Sequence, residues 1–238
     1  TDELICLGIF GPKSRALLSK ITKKDFSNEK FKFGTSKNIK LASIDVWVQR
    51  LSYVGELGYE LYVKKKDGKE IYDLIVETGK NFGLTHCGAH AMDIMRMESG
   101  FLHWGHDISP EENQYQAGLN FAISYKKSFK FIGKEKLLTI KDQKLDRRFV
   151  MLILKDSKPG EPLLLHEEPI YIDDKIIGKT TSGNYSFNYN KNLSFGYINS
   201  EFSNDQLIDK NLYIEIEKKK YPAELLTNPL KLHKFKNI

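Results

Sequence analysis

The stretch RLSYVGELGYELYV, residues 50–63, decides how the first half of this chain is read. Its last five residues alternate Tyr59, Leu61 and Val63 with Glu60 and Tyr62, the period-2 pattern of a strand buried on one face. Just upstream, IDVWVQ sets Ile44, Val46 and Val48 against Asp45, Trp47 and Gln49 in the same rhythm. Gly55 and Gly58 supply the turn between the two, or a place where a ligand can approach the backbone. A plain hairpin needs no carboxylate at Glu60. A carboxylate flanked by aromatics can hold a flat heterocycle: rings stack, and the carboxylate accepts two parallel N–H bonds, as from an aminopyrimidine edge. A merely exposed Glu60 on an ordinary hairpin fits the spacing equally well.

Working outward, residues 2–22 read as a strand, the pair Gly11-Pro12, and a helix, with Pro12 suited to its first position. Residues 71–78 space Ile71, Leu74, Ile75 and Thr78 on one helical face, and Gly79 or Gly83 stops that helix. Within residues 87–100, CGAHAMDIMRMESG, the residues Ala89, Met92, Ile94, Met95 and Met97 leave no clear polar face, so a buried helix is expected, with Gly100 just past its end. The order is that of an α+β domain, with an antiparallel sheet covered by helices on one face. After the basic linker KDQKLDRR, six short strand-like stretches follow between turns: RFVMLIL, EPIYID, KIIGKTTSG, NLSFGYI, NLYIEIE and KYPAELL. Such spacing without a helical period predicts a small all-β sandwich or barrel. The expected domains are 1–147 and 148–238.

The 238 residues carry a net charge of +6, mostly scattered lysine, with only Cys6 and Cys87. Two isolated cysteines predict reduced thiols and no disulfide framework. No apolar run reaches the roughly 20 residues needed to span a bilayer, and no membrane partner is expected. Interleaved acids and the lack of a recognition motif argue for a solvated surface and no nucleic-acid partner. Gly8, Gly11 and Gly34 form no dinucleotide fingerprint, so a flavin or nicotinamide would sit outside these residues. His86, His90, His103 and His106 lack the carboxylate of a metal-binding helix motif, and no metal is expected. Arg96, inside an apolar helix, must be paired: either with Asp93 or Glu98 in a structural bridge, or with a ligand carboxylate.

Several of these blocks together resemble the glycine-cleavage T-protein (aminomethyltransferase) family. RLSYVGELGYELYV is similar to its tetrahydrofolate-binding signature, and GAHAMDIMRMESGFLHWGHDISPEENQYQAGL and FIGKEKL to the blocks that follow. GKTTSGNYSFNYNKNLSFGYI is similar to its C-terminal barrel. The branch resembled most is the C-terminal half of dimethylglycine and sarcosine dehydrogenases. The resemblance implies the second part of a folate-binding domain, N-terminally incomplete, followed by a small barrel. It implies that Tyr53, Glu60, Leu61, Tyr62, Arg96 and Phe121 contact tetrahydrofolate, with Glu60 clamping the pterin. It implies no catalytic residue here, because the family's catalytic aspartate lies upstream of the matched part, and FAD on a domain elsewhere, in the same chain or a separate subunit. The implied activity is capture of the one-carbon unit from N-methylglycine oxidation as methylene-tetrahydrofolate. The alternatives are a stand-alone aminomethyltransferase or demethylase, and a non-enzymatic lysine-rich binding module. Met92, where related T-proteins often carry arginine, weakens the aminomethyltransferase alternative. Bacterial cytoplasm is the expected location, with mitochondrial matrix as the alternative.

Overall fold

The computed structural model describes residues 2–208 and 210–229. Its described residues form two compact units, 2–99 and 100–229. The barrel begins at Arg147, and the compact units part between Ser99 and Gly100.

The first unit runs β1 (Leu4–Phe10), α1 (Ser14–Ile21), β2 (Ser36–Leu41), β3 (Ile44–Gln49), β4 (Gly58–Lys64), α2 (Gly68–Gly79) and α3 (Ala89–Glu98). Its strands pair antiparallel in the order β1-β4-β3-β2. The predicted alternation sorts the sheet's two faces. Tyr59, Leu61 and Val63 of β4 and Val46 and Val48 of β3 join Leu17, Leu18, Ile71 and Ile75 of the helices in one core. Removing such side chains from water contributes about 1.5–3 kcal/mol each. Glu60, Tyr62, Trp47 and Gln49 lie on the other face, which these helices leave open.

Two local details differ from expectation, at Pro12 and at β2, and the end of α2 agrees with it. Pro12 precedes rather than begins α1: the Ser14 N–H donates to the Gly11 carbonyl, and the helix starts at Ser14. At the end of α2, Gly79 is the last helical residue; Gly83, after one 3₁₀ turn, takes the left-handed conformation at φ 70°. The edge strand β2 was not anticipated. It shows only Ile39 and Leu41 to the core, and it joins β3 through Ala42 at φ 52°, without the glycine or asparagine that usually marks such a turn.

In the second unit, residues 100–146 hold loops and the short helix α4 (Lys134–Ile140). Six strands then close a barrel: β5 (Arg147–Leu154), β6 (Pro169–Ile172), β7 (Lys175–Ser186), β8 (Lys191–Asn199), β9 (Leu212–Ile216) and β10 (Lys219–Leu226). They match the six strand-like stretches picked out between turns, and helix α5 (Asn204–Ile208) intervenes between β8 and β9. Val150, Leu152, Ile170, Ile177, Ile198 and Ile214 fill the interior. Two glycines let β7 and β8 approach: a Cβ at Gly178 would stand 1.9 Å from the Tyr197 carbonyl, and one at Gly196 2.5 Å from that of Lys179.

Candidate functional site

Register fixes what surrounds Glu60. Gly8 of β1 lies opposite it on one side and Gln49 of β3 on the other; Tyr62 is flanked by Cys6 and Trp47. The Tyr62 hydroxyl donates to Glu60 Oε2 at 2.6 Å. That bond orients the carboxylate and leaves its other oxygen uncommitted to Tyr62. Accepting by Glu60 and burial together push the Tyr62 hydroxyl's pKa far above the ordinary phenol value, so it stays a donor. Burial, and then the Glu60 charge, push the Cys6 thiol up as well, so it stays neutral. The Trp47 and Tyr62 rings meet at 5.0 Å between centroids, tilted by 40°, with Trp47 still 41% exposed.

Gly8 and Gly58 are small for a visible reason. A Cβ at Gly8 would meet the Phe10 ring at 2.6 Å, and one at Gly58 would meet it at 2.2 Å. The ring of Phe10 therefore lies across the two glycines on the open face, covering backbone that would otherwise be bare. Phe10, Glu60, Tyr62 and Trp47 make an aromatic platform with one half-buried carboxylate. Such a platform can stack a flat ring and accept its N–H groups. Trp47 is its exposed member, and Phe10, Glu60 and Tyr62 are half-buried. A cleft of about 860 Å³ lined by Lys20, Lys24, Asn38 and Lys40, and one of about 500 Å³ lined by Lys130, Phe131 and Leu138, both exclude Glu60.

The sequence-derived residues distribute unevenly around this platform. Tyr53 is half-buried in the loop between β3 and β4. Glu60 and Tyr62 are joined directly. The Leu61 side chain is fully buried on the opposite face, so toward a ligand on the Glu60 face it can offer only backbone. Arg96 is 1% exposed and meets Asp93 through Nε at 2.9 Å and a terminal nitrogen at 2.8 Å, the structural bridge weighed from spacing. Phe121 belongs to the second unit, with its ring 78% exposed. Phe10, Trp47 and Gln49 were not singled out. The strand alternation that placed Trp47 and Gln49 opposite the core was the available signal.

Within the second unit a separate polar cluster joins two of the quoted motifs. Asp107, 1% exposed, accepts from Thr181 Oγ1 at 2.6 Å, Ser182 Oγ at 2.7 Å and the His103 backbone N–H at 2.9 Å. A register shift between Thr180 and Ser182 aims Thr181 at it. The His103 and His106 rings lie 4.5 Å apart, and no group of three or more potential metal ligands occurs among the described residues.

With that geometry in place, comparison with known proteins decides the family. Residues 1–127 match the GCVT N-terminal domain, and residues 147–231 match the glycine cleavage T-protein C-terminal barrel domain. The chain belongs to the glycine cleavage T-protein family. It is 38% identical over 233 residues to human mitochondrial dimethylglycine dehydrogenase, covering 98% of this chain but 26% of that protein. Identity to human mitochondrial sarcosine dehydrogenase is 33% over 198 residues, 83% of this chain and 21% of the relative. Identity to an aminomethyltransferase of Thermoanaerobacter pseudethanolicus is 35% over 203 residues, 85% of this chain and 54% of the relative. The chain thus spans about a quarter of the dehydrogenases' length and about half of the aminomethyltransferase's. The crystal structure of glycine cleavage system aminomethyltransferase T from Bartonella henselae superposes with a TM-score of 0.81 at 19% identity, covering 97% of this chain and 60% of that one, a likeness of fold.

Proposed function

We propose that this chain is the tetrahydrofolate-holding portion of a flavin-dependent dimethylglycine or sarcosine dehydrogenase. Membership of the T-protein family supports the folate, and the identity to both dehydrogenases supports the branch. The observation that carries the reading is the Glu60 carboxylate, oriented by Tyr62 on an aromatic open face. Those residues fit a pterin: two adjacent N–H groups to one carboxylate, a flat ring to the aromatic surface.

In this reading Glu60 and Tyr62 fix the ring's rotation, and Trp47 and Phe10 bound its plane. The chain's contribution is positional: a held acceptor meets a reactive one-carbon unit before water does, and the product is methylene-tetrahydrofolate. The described residues hold no glycine-rich phosphate turn suited to a flavin dinucleotide, so no redox step is placed here. Calorimetric titration with tetrahydrofolate tests the reading. Saturable binding at one site is expected, and heats no different from dilution overturn it.

A second reading, an aminomethyltransferase, rests on the Thermoanaerobacter relative. Turnover by the full-length protein separates the two. Oxidation of an N-methylglycine with an electron acceptor supports the first, and activity only on an aminomethyl carrier supports the second.

A further inference from the structure

The charge of this chain is not evenly spread. Residues 126–144 contain seven lysines against two acidic residues, a net +5 of the chain's +6. The same region exposes large apolar side chains: Phe121 is 78% exposed, Phe129 62%, Leu138 48%, and Ile132 fully, at 104%. Ile132 stands beside Gly133, whose φ of 84° turns the chain into α4, so it occupies the apex of a turn. The segment is folded back on itself. Lys134 Nζ donates to the Lys127 carbonyl at 3.5 Å, the Tyr115 hydroxyl pairs with that of Tyr125, and Lys141 covers the Tyr125 ring at 5.9 Å.

Exposed apolar groups ringed by one sign of charge mark an interaction surface. A second copy of the same face would bring like charges together. Nucleic acid would need several free aromatic faces for stacking, yet ammonium groups already cover Phe129 (Lys127, 5.5 Å) and Phe131 (Lys134, 5.8 Å), Ile132 and Leu138 cannot stack, and Phe121 alone makes no stacking platform. Lysine ammonium groups beside aromatic rings, around an aliphatic tip, instead match an interface with anionic headgroups outside and hydrocarbon just beneath. We propose that residues 121–144 adsorb onto anionic bilayer surfaces. This is attachment, not spanning: among the described residues no helix is long and apolar enough to cross a membrane.

Co-sedimentation of the intact protein with vesicles tests this, using phosphatidylcholine alone and phosphatidylcholine with about 30% phosphatidylserine. The bound fraction should rise roughly tenfold or more on the anionic vesicles and fall when salt goes from about 0.1 M to about 0.5 M. Lys126→Glu with Lys130→Glu should abolish the gain. Phe129→Ser with Ile132→Ser should reduce it several-fold at unchanged net charge, with the melting curve unaltered because both side chains are solvent-exposed. No sedimentation with anionic vesicles overturns the proposal. So does full binding by the serine variant, which would assign the face to a purely ionic partner such as an acidic protein.

Discussion

Glu60→Gln removes the charge from the platform while keeping its shape, and the expected loss can be worked from the geometry. One carboxylate oxygen accepts from Tyr62 at 2.6 Å, so the pterin's two N–H groups would share the remaining acceptor capacity. An amide keeps one oxygen. If that oxygen stays with Tyr62, the amide nitrogen faces the ligand's N–H donors, and one bond is lost outright. The other changes from charge-assisted, about 1.5–3 kcal/mol, to neutral, about 0.5–1.5 kcal/mol. Discounting for a half-exposed site leaves about 2 kcal/mol, or roughly 30-fold in Kd. Calorimetry with tetrahydrofolate on wild type and variant reads this directly. Thermal stability should barely move, since glutamine still accepts from Tyr62. A variant Kd within twofold of wild type refutes the assignment of Glu60.

Gly58→Ala should cost about 1–3 kcal/mol in urea unfolding, because the new methyl would sit 2.2 Å from the Phe10 ring and 3.0 Å from the Leu51 carbonyl; an unchanged midpoint would mean the ring is not fixed there. Asp107→Asn places an amide N–H against one of its three donors and should lower stability by about 2–3 kcal/mol, measured by the denaturant midpoint. The Asp146 carboxyl is held below its usual 3.8, first by the bond from Gln116 and also by the Arg147 N–H. A depressed folded-state pKa contributes stability fully above the unfolded value and loses it as pH falls through the folded one. The melting temperature of wild type should therefore drop more steeply below about pH 4 than that of Asp146→Asn, and parallel curves would contradict this.

What could be read in advance follows the physics of each element. The barrel strands were legible because short strand-like segments recur between turns without a helical period, and β4 because Tyr59, Leu61 and Val63 form one apolar row. Strand β2 escaped because Ser36, Lys37, Asn38 and Lys40 face solvent and its turn uses Ala42. Spacing alone could see Asp93 one turn from Arg96, but not whether a ligand took its place. Asp107 was invisible as an anchor because its hydroxyl partners lie 74 and 75 residues away. The family motif named Leu61 beside Glu60, while alternation across a strand sends the two side chains to opposite faces.

That opposition has an evolutionary price. In β4, odd positions hold the first unit together and even positions carry Glu60 and Tyr62, so inserting or deleting one residue between Gly58 and Lys64 would exchange their faces, burying a carboxylate and stranding leucine and valine in water. Length variation among descendants of this sequence should accordingly be confined to the loop spanning residues 51–57, where neither phase is at stake.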